Sequence, residues 1–142
     1  MRLLDLQITR VASPALDINY MIYSSVIGQH RRDFLPVLLA AYESSFNNVI
    51  ACGNQKPLYN FDQLKKEFYK RNKFGLLMGL MLIPMMVATT EEVIDFNSVT
   101  DEEMEEFVNE QKEKNAKAMK TNPLLRPRLL DMIDEMVERG VV

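Results

Sequence analysis

Two carboxylates near the amino end, Asp5 and Asp17, are the residues whose type and setting best suit chemistry. Asp5 sits in LLDLQI. Side chains alternate along an extended segment, so Leu4, Leu6 and Ile8 share one face while Asp5 and Gln7 share the other. A lone acid on an apolar strand is costly to bury, and a divalent cation would offset that cost. Magnesium suits such a place, because it takes hard oxygen ligands, commonly one or two carboxylates plus substrate phosphates. The competing reading is a surface acid near a frayed terminus. Asp17 follows Ser13 and Pro14 and is most simply an acid in the first turn of a helix.

The other reactive types are scarce. The chain has one cysteine, Cys52, and one histidine, His30. A zinc site of Cys and His needs at least three such ligands, so it is excluded, as is a disulfide framework. A Cys/His nucleophilic pair stays arithmetically open. The plainer expectations are a buried small hydrophobe at Cys52 and a solvated turn at His30. The Gly-rich phosphate loops GxxxxGK[ST] and GxGxxG do not occur. EEMEEF reads as a helix start, and the Met-rich LLMGLMLIPMM as core packing, with an adaptable apolar-ligand surface as the alternative.

These residues must be positioned by helices. At 142 residues the chain fits one domain, and with 47% hydrophobic and 26% charged residues disorder is not the default. After the opening strand, Ser13 and Pro14 start a helix that runs to Gly28. A second helix is expected over 33–52, with Leu38, Leu39, Tyr42, Phe46, Val49 and Ile50 as its stripe. Asn60 and Gln63 form a capping-box pair opening a third helix. Its second half is apolar all round and is expected to pass through the centre of the domain, with Asn72 and Gly75 marking a break and Pro84 a kink or end. Thr100 and Glu103 give another capping box. The helix behind them is a solvated face, with Glu110–Lys114 and Glu113–Lys117 pairs. Leu129, Met132, Ile133 and Met136 line a last helix stopped by Gly140.

Composition also sets what partners to expect. The net charge of −3, with bases interspersed among acids, argues against a nucleic-acid partner. Asp5 interrupts what would be a signal peptide, and the apolar run from Gly75 to Ala88 is too short for a transmembrane segment. With its single cysteine, the chain is expected to be cytoplasmic.

LLDLQITRVASPALDINYMIYSS resembles the ecdysteroid-kinase-like family, also called choline/ecdysteroid kinase-like or juvenile-hormone-inducible. The likeness lies in Leu3, Leu4, Asp5, Leu6 and Gln7, then Ser13, Pro14 and Asp17. It extends through YNFDQLKKEFYKRNKFGLLMGLMLIP and the closing NPLLRPRLLDMIDEMVERGVV, and so covers nearly the whole chain. Leu6 departs from the usual phenylalanine. The resemblance implies a mainly α chain: the C-terminal helical subdomain of a protein-kinase-like (aminoglycoside/choline kinase-like) fold, with a short β remnant at the N-terminus. Residues 1–142 are then a partial domain.

The resemblance also implies roles. Asp5 takes the place of the aspartate that holds Mg²⁺ against the phosphates of ATP. Asp17 resembles the helix aspartate that braces the catalytic loop. No catalytic residue is implied here, because the nucleotide lobe, its lysine and a His-Gly-Asp type loop lie upstream of this strand in the family. The activity expected of a complete domain is transfer of the ATP γ-phosphate to a hydroxyl of a small molecule, ecdysteroid-like or similar. The segment alone is expected to be inactive and to bind neither ATP nor Mg²⁺ well. The alternative is a non-catalytic helical binding or interaction protein.

Overall fold

A computed structural model describes residues 10–89 and 104–142. The expected strand with Asp5 and the Thr100–Glu103 capping box lie outside the described residues. Those described are mainly helical, as expected, and hold no strand. Six helices follow one another: α1 Ala15–Ser25, α2 Gly28–Cys52, α3 Phe61–Lys70, α4 Asn72–Met86, α5 Met104–Thr121 and α6 Leu125–Glu138.

The starts and stops follow local chemistry. The α3 capping box is complete: Gln63 N–H donates to Asn60 Oδ1 at 2.9 Å, and Asn60 N–H to Gln63 Oε1 at 2.9 Å. Asn122 opens α6, where its Oδ1 accepts from Leu124 N–H at 3.0 Å and Leu125 N–H at 3.3 Å. Its Nδ2 donates to the Val87 carbonyl at 2.8 Å, tying that start to the end of α4. Gly140 ends the last helix with φ +66°, a conformation that glycine enters freely. After α2 the left-handed residue is Asn54, at φ 54°, and not the adjacent Gly53.

Several expectations are corrected. Residues 26–27 already separate α1 from α2, so α2 begins at Gly28 and not near Asp33. Pro36 lies inside α2. The early start carries Arg31 and Arg32 on a helix that reaches α6, where their carboxylate partners are. His30 consequently lies in the first helical turn, and Cys52 is exposed where a buried hydrophobe was expected. Val49 is exposed as well, and Leu35 joins Leu39 as a buried residue of α2. The long third helix does break: α3 ends at Lys70 and α4 starts at Asn72, while Pro84 stays inside α4.

The larger correction concerns α4 itself. It is not sheathed on all sides. Asn72, Gly75, Gly79 and Ile83 are buried, whereas Leu77, Leu80, Met81, Met85 and Met86 are exposed. The buried face packs against α1 and α6. Gly75 and Gly79, one helical turn apart, permit this approach. A Cβ at Gly75 would stand 2.4 Å from Tyr23 Cδ2 and 2.7 Å from Asn19 Oδ1. One at Gly79 would stand 2.3 Å from the sulfur of Met132 on α6. The core gathers around this seam: Ile18, Ile22 and Tyr23 of α1, Leu64 and Phe68 of α3, and Leu129, Met132 and Met136 of α6.

Gly75→Ala is accordingly expected to destabilise the chain by about 1–3 kcal/mol through overpacking, although alanine is the better helix former. Gly53→Ala, whose new Cβ would meet nothing closer than 3.4 Å, should stay within about 0.5 kcal/mol of the parent. Urea unfolding of the two variants measures the contrast.

Candidate functional site

Of the two expected site residues, Asp5 lies outside the described residues. Asp17 is in the first turn of α1, exposed, with no hydrogen bond or ion pair among the described residues. It lines an open groove of about 600 Å³ with Arg10 and Ser13 ahead of the helix, Leu16 and Tyr20 on α1, and Phe74 and Met78 on α4. Burial, and after it the charge of Asp17, push the phenol of Tyr42 on α2 above its ordinary range.

The Ser13-Pro14 pair is fixed from outside its own helix. Ser13 Oγ donates to Glu67 Oε2 on α3 at 3.4 Å, and Glu67 in turn is paired with Arg71. The expected serine cap is present only as a long contact, from Ala15 N–H at 3.4 Å. Two residues past Asp17, Asn19 is fully buried, and its Nδ2 donates to the carbonyls of Ala15 at 2.7 Å and Phe68 at 3.0 Å. Asn19 thereby locks the rotation of α1 against α3, leaving Asp17 and Tyr20 on the open side.

The described residues hold no group of three or more His, Cys, Asp or Glu fit to ligate a metal. The groove itself supplies one carboxylate, and the guanidinium-bearing Arg10 also lines it. Magnesium commonly takes one or two carboxylates with phosphate oxygens, so the groove residues supply at most part of such a set. A magnesium reading rests on Asp5.

Sequence reasoning missed a buried ionic cluster on the other side of α1. Arg31 is 2% exposed and Glu135 1%. Arg31 Nε donates to Glu135 Oε2 at 2.5 Å, and its Nη1 to the Val26 carbonyl at 2.7 Å. Its guanidinium also lies over the Tyr23 ring, 4.9 Å from the centroid. Glu135 Oε1 faces Arg139 Nη2 at 2.5 Å, and Arg139 Nη1 donates to the Tyr23 hydroxyl at 3.0 Å. Arg32 pairs with Asp131, and that hydrogen bond holds its guanidinium more firmly protonated than usual. Sealed from water, the Tyr23 phenol has its ionisation pushed well above the usual range. In the sequence these residues look like ordinary surface charges. The available signal was the three- and four-residue spacing of Asp131, Glu135 and Glu138 along the face that carries Met132 and Met136.

Residues 1–121 match the family described as uncharacterized oxidoreductase dhs-27, a family of unknown function, and the chain belongs to that family. No curated protein matches, and no solved structure matches. Among the described residues no helix is long and apolar enough to cross a membrane.

Removing one partner of a buried ion pair strands the other, so Glu135→Ala should cost about 3–5 kcal/mol in urea unfolding. Replacing both, as Arg31→Met with Glu135→Leu, should cost distinctly less than Glu135→Ala. The Tyr23 phenol adds a pH dependence. Its folded pKa lies above the unfolded value of 10.0, so its contribution is whole below that pH and falls as pH rises further. Stability measured from pH 9 upward should therefore fall more steeply in the parent than in Tyr23→Phe.

Proposed function

We propose that this chain is the C-terminal helical part of a small-molecule kinase-like protein of the ecdysteroid-kinase-like kind. The complete domain would transfer the γ-phosphate of ATP to a hydroxyl of a small molecule, ecdysteroid-like or similar. The observation that carries the reading is the pattern Leu4-Asp5-Leu6-Gln7, Ser13-Pro14, Asp17. In it Asp5 would hold Mg²⁺ beside the ATP phosphates, and Asp17 would brace the catalytic loop by accepting hydrogen bonds from it. The exposure of Asp17, its place on a groove wall and its lack of a partner among the described residues support a role toward a group outside α1.

Phosphoryl transfer needs nucleotide, metal and acceptor held together, and these 142 residues contain no phosphate loop. Incubated alone with ATP, Mg²⁺ and steroid or amino-alcohol acceptors, the chain should release no acceptor-dependent ADP. Clear turnover would overturn that expectation. Reading the gene upstream of Met1 tests the kinase assignment itself. A frame continuing into a His-Gly-Asp block supports it, and an in-frame stop counts against it. In a protein with that block, Asp5→Asn should lower phosphotransfer by about 10²-fold or more.

The second reading, a non-catalytic interaction protein, is favoured by the exposed Leu77, Leu80, Met81, Met85 and Met86 of α4. Contiguous apolar surface of this kind marks partner sites. The family's oxidoreductase description offers a third. Dinucleotide binding by a GxGxxG turn has no residues to act through here, because that turn is absent from the sequence.

A further inference from the structure

Helix α4 divides two sets of methionines. Its buried residues, Gly75, Gly79 and Ile83 among them, pack toward α1 and α6. On that inner side Met132 and Met136 of α6 are 0% exposed, and the Met132 sulfur fills the space that a Cβ at Gly79 would need. Outside that packing the sulfurs meet solvent. Met81 and Met85, one turn apart, are 57% and 50% exposed, and Met86 is 55% exposed. The helix carries a single charged residue, Lys73, two turns ahead of Met81, so no charged side chain of α4 covers them.

A thioether is a soft, polarisable group whose oxidation follows its access to the oxidant. A sulfur lone pair attacks one oxygen of hydrogen peroxide, and the O–O bond breaks. The sulfur is oxidised by two electrons to a sulfoxide, and the remaining peroxide oxygen leaves as water. The new oxygen is a strong hydrogen-bond acceptor. At Met81, Met85 and Met86 water can solvate it, and no core contact is lost. At Met132 the packed backbone of Gly79 leaves it no room, and a buried acceptor without a donor is costly. Oxidation there must wait for the helices to open.

We propose that Met81, Met85 and Met86 form a peroxide-reactive modification site, where oxidation turns the outer surface of α4 from apolar to polar while the core stays reduced and folded. The change is reversible. A methionine sulfoxide reductase takes two electrons and two protons from a dithiol, returning the thioether, a disulfide and water.

The test treats the 142-residue chain with hydrogen peroxide after alkylation of the exposed Cys52, and follows each methionine by peptide mass spectrometry. Met81, Met85 and Met86 should gain oxygen about 10-fold faster than Met132 and Met136, or more. Binding of the apolar dye ANS should fall about twofold or more and return after reductase treatment, with the cooperative melting transition kept throughout. The volume-conserving triple variant Met81→Leu, Met85→Leu, Met86→Leu should keep its ANS signal under peroxide. Equal oxidation of the outer and core methionines overturns the proposal. Loss of the melting transition before the outer thioethers are consumed does so too, as does an unchanged ANS signal in the oxidised parent. If the triple variant does not fold, the rate ratio and dye response of the parent decide alone.

Discussion

A full-sized tyrosine at the centre of the seam between α1 and α4 is the constraint on which the packing depends. The Tyr23 side chain can occupy that place only because α4 presents glycine at 75. Its ring stacks on Phe68 of α3 with centroids 6.1 Å apart, receives the Arg31 guanidinium on a face, and carries at its tip a hydrogen bond from Arg139. One residue therefore touches α2, α3, α4 and the end of α6. The apolar body satisfies the core while the hydroxyl demands a polar partner, which is why a buried tyrosine fixes geometry more narrowly than a phenylalanine would.

The ionic cluster follows from that demand. Arg139 can serve Tyr23 only if its own charge is matched, and Glu135 matches it while also holding Arg31. A buried pair of this kind is weak evidence for net stability, because desolvation takes back most of the Coulombic gain. Its consequence is positional. With Arg31 bonded to both Glu135 and the Val26 carbonyl, α2 must start where it does and α6 must keep its register. The apolar contacts among Leu35, Leu39, Met132 and Met136 could be made in slightly different registers. The directional bonds could not.

How much of this could be read from the residues varies by element. The capping box at Asn60 and the Gly140 stop were legible, because they act within a few residues of chain. The stripe of α6 was legible as well, since Leu129, Met132 and Met136 repeat at helical spacing. The start of α2 was not. It is set by ion pairs between residues about 100 positions apart, which no local pattern reveals. The α4 segment misled for a related reason. All-round apolarity suggested burial on every side, whereas Gly75 and Gly79 choose the face that packs and leave the methionines outside. At the site, the surface position of Asp17 agreed with its reading as a first-turn acid. The buried Asn19 two residues on, which fixes that position, gave no sign in the sequence.

The same seam bears on the functional reading. Ala15, Ile18, Asn19, Ile22 and Tyr23 face inward on α1, so Asp17 and Tyr20 must face outward. Asn19 bonds to the Phe68 carbonyl and Ser13 to Glu67, which pins α1 to α3 at its N-terminal end and leaves it little freedom to roll. Rolling far enough to bury Asp17 would expose Asn19 and Ile18 and drive Tyr23 out from above Gly75. The acid is thus held at the surface by residues that never touch it. A carboxylate presented this way stands open to a partner arriving from outside the helices. α4 lines the same groove through Phe74 and Met78, so the surface beside Asp17 is partly apolar.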